Sequence, residues 1–217
     1  MMAGIGAQAA ERGPECREQL AQDFLIRSSM LKDKRGFARA VQKAIHYRVE
    51  HYGYVDGAPL TKVNPKSAVE LSRETRFLGL KVRLNAKILP ALECAERAVI
   101  ERCTDLGTGK RYAPRRLSGI RYKNTYRGGE ISNHMFGTAL DIDPDRNPCC
   151  GCVPPWSDVP QCRRHVKSIF ERMEMPRCWV NEFERFGFYW LGWDAMGDTM
   201  HFEFLGDPDR ILIRPEY

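Results

Sequence analysis

Apolar residues recur at helical spacing in the first half of the chain. The pattern predicts helical structure from Cys16 to about His51, with a break between two helices at Gly36. The second helix repeats its apolar positions every fourth residue, at Phe37, Val41, Ile45 and Val49. A further amphipathic helix is predicted from Leu89 to Cys103, where Pro90 is tolerated in the first turn.

Short apolar or alternating runs in the rest of the chain predict strands rather than long helices. These runs are Gly79 to Leu84, Leu117 to Tyr122, Thr138 to Ile142, Phe188 to Trp193 and Met200 to Leu205. The last two are expected to pair as a hairpin. Helices are predicted at Arg163 to Arg172 and at Cys178 to Phe186. The pattern predicts an α+β protein with a small antiparallel sheet and helices on one side.

The segment from Ser132 to Asp141 carries the residues most suggestive of chemistry. It places His134 and Asp141 seven positions apart, with Gly137 between them to let the backbone bend. A second short run contains His201. Two imidazoles and one carboxylate would leave a fourth position for water, as in a hydrolytic zinc site rather than a structural one.

Three motifs, in this order and spacing, resemble one enzyme family. They are Ser-Gly-Ile-Arg at 118–121, Ser-x-His-x-x-Gly-x-Ala-x-Asp at 132–141, and Asp-x-x-His-Phe-Glu at 198–203. The chain is similar to the zinc D,D-carboxypeptidases and L-alanyl-D-glutamate endopeptidases. The resemblance covers roughly the second half of the chain. It implies a fold shared with the zinc domain of hedgehog proteins.

The resemblance also implies one zinc per chain, held by His134, Asp141 and His201. The implied reaction is hydrolysis of peptide bonds next to D-amino acids in peptidoglycan stem peptides. Whether the chain acts as a carboxypeptidase or an endopeptidase stays open. A zinc-containing module that binds cell wall or protein without catalysis, as in the hedgehog branch, is the alternative.

Other motif residues have candidate roles beside the metal. Asp198 is predicted to be the general base, although Asp is also an ordinary turn residue. Glu203 is expected to orient a metal-binding histidine and is the fallback base. Arg121 is predicted to hold a substrate carboxylate or the oxyanion, against the alternative of an ordinary surface arginine. Ser132 is a candidate hydrogen-bonding partner of the substrate.

Composition limits the possible partners. The chain has 217 residues, of which 43% are hydrophobic, and no apolar run approaches the ~20 residues of a membrane span. These values predict a folded soluble protein. The formal charge of +6 favours encounter with anionic wall peptides, while no nucleic-acid motif is present. We therefore expect a peptide substrate, no nucleic acid and no membrane span, in a monomer.

Eight cysteines point to the compartment. Four of them, at 149, 150, 152 and 162, cluster directly after the predicted metal strand. Disulfides would fit an even count in an oxidising compartment, whereas a second, structural zinc would need two Cys-x-x-Cys knuckles, and the spacing here is not a standard one. Disulfides are favoured, with a connectivity that the sequence does not reveal. A periplasmic or extracellular location follows, although Met1 to Pro14 has no hydrophobic region typical of a signal peptide.

The chain is divided here into two parts. Residues 1–75 are predicted to form a helical extension of unknown role, and residues 76–217 the zinc peptidase domain.

Overall fold

The computed structural model describes residues 15–32, 34–104, 111–126 and 129–213. Five α-helices lie in these ranges: α1 (Arg27–Lys32), α2 (Phe37–Tyr52), α3 (Leu89–Arg102), α4 (Pro160–Arg163) and α5 (Arg177–Arg185). The first fourteen residues, which lack a signal-peptide pattern, lie outside the described part. No helix of the described residues is long and apolar enough to cross a membrane.

Within the described residues, six strands form two antiparallel sheets. The strands are β1 (Ser72–Phe77), β2 (Leu80–Asn85), β3 (Leu117–Ser118), β4 (Ala139–Ile142), β5 (Phe188–Trp190) and β6 (His201–Phe204). β1 and β2 form a hairpin, and the other four form a sheet in the order β3–β4–β6–β5. The predicted α+β class is therefore confirmed, as is the pairing of the last two strands.

The two central strands of the larger sheet are buried along their whole length. A buried strand normally carries apolar residues only, yet β4 contains Asp141 and β6 contains His201 and Glu203. Buried polar groups need partners or a ligand. The centre of the sheet is therefore the place to look for a functional site.

Gly137 precedes β4 in a left-handed conformation, with a φ of 68°. A β-carbon there would come within 2.9 Å of the backbone nitrogen of Asn85 and of Oγ of Ser72. Glycine is thus required both by the backbone conformation and by the close approach of the β1–β2 hairpin. The bend expected from the sequence is present, and close packing of the β1–β2 hairpin against Gly137 holds it in place.

Two sequence predictions in the first half need correction. The segment from Cys16 to Gln22 is extended rather than helical, and bridges Leu212 through Cys16 and Phe186 through Gln19. Strand β1 was not predicted. Its middle four residues carry three charges and are exposed or half-buried, and only its two end residues are buried, so it lacks a clear apolar alternation.

Two predictions in the second half also differ from the structure. The single helix predicted from Arg163 to Arg172 is wrong. The four-residue α4 ends at Arg163, and a short 3₁₀ turn (Ile169–Arg172) follows. Ser168 begins that turn by accepting a hydrogen bond from the backbone of Phe170, so the segment restarts instead of continuing. The strand predicted from Leu117 to Tyr122 pairs with β4 only over its first two residues.

All eight cysteines are paired, as the disulfide prediction requires. The pairs are Cys16–Cys94, Cys103–Cys178, Cys149–Cys152 and Cys150–Cys162. The first joins the N-terminal segment to α3, and the second joins the end of α3 to α5. The other two lie within the loop after β4. Four disulfides indicate an oxidising, non-cytoplasmic environment.

One hydrophobic cluster runs through both parts of the predicted division. It includes Leu25 and Met30 near the start, Phe77 and Leu92 in the middle, and Phe202 in β6. The β1–β2 hairpin also straddles the predicted boundary between residues 75 and 76. The division into an extension and a peptidase domain stays a prediction.

Candidate metal centre and active site

The larger sheet brings the three predicted metal ligands to one point. Strand pairing places Asp141 of β4 directly opposite His201 of β6, while His134 lies in the tight turn before β4. Oδ1 of Asp141 is 2.8 Å from Nδ1 of His201 and 3.1 Å from Nε2 of His134. The two imidazole nitrogens are themselves 3.1 Å apart. All three side chains are buried.

Hydrogen bonds on the far side of each ring fix its tautomer. Nδ1 of His134 is 2.6 Å from the carbonyl oxygen of Gly119, and Nε2 of His201 is 3.1 Å from a carboxylate oxygen of Glu203. A carbonyl and a carboxylate oxygen only accept, so these outer nitrogens carry the protons. The two facing nitrogens are then the ones that can offer lone pairs to a cation, beside the carboxylate of Asp141.

This arrangement fits a zinc ion. Three acceptor atoms this close together repel unless a positive charge lies among them, either a metal ion or a proton shared between His201 and Asp141. Neighbouring ligand atoms of a tetrahedral zinc are about 3.3 Å apart, close to the separations seen here. The outer partners of both rings are those that metal-binding histidines commonly have. The residues present therefore match the donor set of a catalytic zinc.

Without a metal ion, burial and neighbouring charges shift the pKa values of the same three groups. Burial lowers the pKa of His134, despite the charge of Asp141 nearby. Burial would also lower the pKa of His201, but hydrogen bonds to Asp141 and Glu203 hold it well above its ordinary value. Burial would raise the pKa of Asp141, yet the two histidines hold it well below its usual range. The carboxylate is thus held ionised, as a metal ligand must be.

Asp198 lies in the loop before β6 with an unsatisfied carboxylate. Its Oδ1 is buried and has no hydrogen-bond partner among the described residues. Burial raises the pKa of Asp198 to about 6, and the charges of His201 and Arg121 only partly offset this effect. A buried acceptor with a pKa near neutrality can take up a proton and return it, as general acid–base catalysis requires.

The loop after β4 holds Asp198 in place through the backbone. Cys149 and Asp198 form an isolated antiparallel bridge, and the N–H of Gly151 donates to the carbonyl of Met196 at 2.7 Å. Cys149 and Cys152 lie close to the Asp198 carboxylate, but their sulfurs are joined to each other and do not serve as metal ligands. Sequence analysis predicted disulfides here, but not this positioning role.

The structure places Arg121 and Ser132 against metal-ligand residues. Nη2 of Arg121 donates to Oδ2 of Asp141, and its side chain is 35% exposed. Oγ of Ser132 is buried and accepts a hydrogen bond from the backbone N–H of His134 at 3.4 Å. Both contacts support the metal centre. Their substrate-binding roles stay predictions.

Gly119 is a functional residue that sequence analysis quoted without giving it a role. Its carbonyl accepts the outer proton of His134. A β-carbon at this position would come within 2.3 Å of the carbonyl oxygen of Arg83. The glycine of the Ser-Gly-Ile-Arg motif is therefore required so that β2 and the His134 turn can pack closely on both sides of it.

An open cleft of about 500 Å³ lies between α1 and the loop that leads to Asp198. Its lining includes Arg27 and Leu31 of α1, Tyr126, Glu130, Asp194 and Met196. The loop that contributes Asp194 and Met196 continues directly to Asp198. The cleft and the candidate base therefore share one loop.

Comparison with known families agrees with this geometry. Residues 125–204 match a D-alanyl-D-alanine carboxypeptidase family model. The match contains all three predicted ligands together with Asp198 and Glu203, and it confirms the resemblance inferred from the motifs. This segment of the chain is therefore similar to a peptidase family that is zinc-dependent in general. No curated protein and no solved structure matches the chain.

Proposed function

We propose that the protein is a zinc peptidase that hydrolyses peptide bonds next to D-amino acids in peptidoglycan stem peptides. The observation that carries the proposal is the convergence of two imidazole nitrogens and one carboxylate oxygen beside Asp198, which has a buried, unpartnered oxygen. This convergence lies within the segment that matches the peptidase family. A purely structural zinc would have four protein ligands and no need of a free carboxylate beside them.

His134, Asp141 and His201 would hold the metal, which when bound supplies a hydroxide nucleophile at neutral pH and polarises the scissile carbonyl. Asp198 takes a proton from the attacking water at Oδ1 and passes it to the leaving amine. Glu203 keeps the Nε2 proton of His201 in place, so the opposite nitrogen stays available as a ligand.

Arg121 would steady negative charge on the substrate. Its Nη2 contacts Asp141, and a guanidinium has further N–H donors that can reach a substrate carboxylate or the oxyanion. The oxygen of Ser132 already accepts from the backbone of His134, so it would offer the substrate its hydroxyl proton. Both residues lie on the side of the metal site formed by the first two motifs.

The substrate peptide would lie in the cleft between α1 and the loop that carries Asp198. The overall charge of +6 favours encounter with an anionic polymer. The disulfides suit a periplasmic or extracellular location, where peptidoglycan is found. We propose that the chain acts as a monomer.

Mass spectrometry of purified muropeptides after digestion tests the function. The zinc-loaded protein is expected to shorten stem peptides, and the metal-depleted protein to leave them intact. Loss of one terminal D-amino acid would identify a carboxypeptidase, whereas an internal cut would identify an endopeptidase. If the folded, zinc-loaded protein cleaves no muropeptide, the non-catalytic binding module becomes the better explanation.

A further inference from the structure

Most of the net positive charge of the chain lies in one short segment. Residues 32–43 contain five basic residues and one acidic residue, so they carry four of the six net positive charges. The segment includes the last residue of α1, the turn that follows it and the first two turns of α2. The charge of the protein is therefore concentrated on the N-terminal helices and not spread over the whole surface.

The five basic residues of this segment are all exposed. They are Lys32, Lys34, Arg35, Arg39 and Lys43. Arg39 and Lys43 are one turn apart on α2 and share a face, while the buried positions Val41 and Ile45 lie on the opposite side. Helix α1 packs against α2. Because the five residues lie on two packed helices and the turn between them, they form one surface, called the basic surface below.

The charge of the basic surface is not balanced by carboxylates around it. Within the described part of the chain, no ion pair of 4.0 Å or less involves Lys32, Lys34, Arg39 or Lys43. Lys43 instead lies over the ring of Phe24, 4.6 Å from its centroid. Exposed cations elsewhere have carboxylate partners, such as Lys81 with Glu74 at 2.8 Å. The basic surface thus differs from the mixed charge of an ordinary solvated surface.

Helix stability does not account for the placement of these charges. The N-terminus of a helix carries a partial positive charge, so acidic residues are favourable in the first turn and basic residues are not. Helix α2 has no acidic residue in its first turn, and Arg39 lies there. The basic residues therefore oppose the helix dipole, and a bound anion would offset this repulsion.

The exposed face of α2 fits a soluble polyanion better than a lipid membrane. A helix that enters a membrane surface needs large apolar residues beside its basic ones. The exposed positions of α2 carry none, since they are Ala38, Arg39, Gln42, Lys43, His46 and Glu50. Glu50 is the one acidic residue of α2 and lies at the end away from the basic surface. An extended polymer with repeated negative charges is complementary to such a face.

The basic surface continues into one wall of the cleft. Helix α1 contributes Arg27, Ser28 and Leu31 to the cleft, and Lys32 directly follows Leu31. A polymer with one stem peptide in the cleft would therefore bring its neighbouring stem peptides past α1 and α2. In peptidoglycan the stem peptides carry carboxylates and recur along each glycan strand, so the polymer supplies the repeated anions that the basic surface lacks.

We propose that the basic surface binds the carboxylates of intact peptidoglycan strands while a neighbouring stem peptide lies in the cleft. This inference rests on the proposed peptidase function and gives the N-terminal helices a role in it. Several weak contacts along one polymer add to the contact in the cleft, so the protein binds the polymer more tightly than a released muropeptide.

Co-sedimentation of the zinc-loaded protein with purified peptidoglycan sacculi, on ice and free of other wall polymers, measures this binding apart from cleavage. The variant Lys32→Gln/Lys34→Gln/Arg39→Gln should bind sacculi about 10- to 100-fold more weakly, given the usual contribution of each basic residue at an anionic surface. Added salt should weaken the binding of the wild type in the same direction. The matched control is Lys62→Gln/Lys66→Gln/Lys167→Gln, which removes three exposed cations outside the basic surface and should bind like the wild type.

Cleavage of soluble muropeptides should be the same in both triple variants as in the wild type, which also shows that they fold. Equal weakening of sacculus binding in the control would overturn the proposal, because net charge alone would then explain the binding. Binding of the wild type to phosphatidylglycerol vesicles but not to sacculi would assign the surface to a membrane and also overturn it. A wild type that cleaves muropeptides without binding sacculi overturns the docking and leaves the peptidase function standing. Binding to sacculi through the basic surface without any cleavage supports the docking and overturns the peptidase function.

Discussion

At the scale of single residues, two buried carboxylates beside the same histidine have opposite properties. Glu203 is bound to His201 and its pKa is lowered, despite burial. Asp198 has an oxygen without a partner, and burial raises its pKa to about 6. Environments that drive two carboxyl pKa values apart are typical of catalytic sites. The assignment of Asp198 as base and Glu203 as orienting group follows from this difference.

Replacing Asp198 with Asn tests this assignment. The change keeps the size of the side chain and removes only the proton acceptor, so the variant should fold and retain zinc. Turnover of wall peptides should fall by about 10²- to 10⁴-fold, with a smaller change in KM, because the lost interaction acts mainly in the transition state. Loss of zinc would instead make Asp198 a ligand. Full activity would transfer the role to Glu203, to be checked with Glu203→Gln.

The histidine ligands give a second prediction at this scale. His201→Ala removes one of the three predicted ligands. Metal analysis should therefore show that the purified variant lacks the roughly one equivalent of zinc expected in the wild type. His165→Ala is the control, because His165 is exposed and outside the site. A full equivalent of zinc in His201→Ala would show that the metal lies elsewhere.

At the scale of elements, the loop after β4 and the loop before β6 act as one unit. Backbone contacts join Cys149 to Asp198 and Gly151 to Met196, and Thr199 donates to the carbonyl of Pro148 at 3.2 Å. These contacts fix the base relative to His201, the first residue of β6. If Asp198 is the base, this short disulfide-closed turn would serve catalysis as well as stability.

Removing the Cys149–Cys152 disulfide should accordingly affect the rate more than metal binding. A Cys149→Ser/Cys152→Ser variant is expected to keep zinc and lose roughly 10- to 100-fold in kcat, because a small displacement of a catalytic group is costly. The matched control is Cys150→Ser/Cys162→Ser, which removes the other disulfide of the same loop. Equal rate losses in both variants would indicate a general loosening of the loop instead.

At the scale of the whole molecule, the sequence predicts the features that depend on residues close together along the chain. Strand β4, helix α3 and the metal ligands were predicted from local periodicity and motif spacing. Strand β1 was missed because it has no apolar alternation, and the segment from 163 to 172 was misread because charged residues give no period.

The long-range disulfides provide the last prediction, because they join segments that are far apart in the sequence. Cys16–Cys94 spans 78 residues and ties the N-terminal segment, which leads to α1 and α2, to α3. A long closed loop restricts the unfolded chain, so Cys16→Ser/Cys94→Ser should lower the free energy of unfolding by about 2–4 kcal/mol. Denaturant titration of the oxidised proteins measures this change. Thiol labelling of the native, oxidised wild type should find no reactive cysteine, and labelling of all eight would contradict the four pairs. A loss of stability near zero would mean that packing alone holds the N-terminal segment in place.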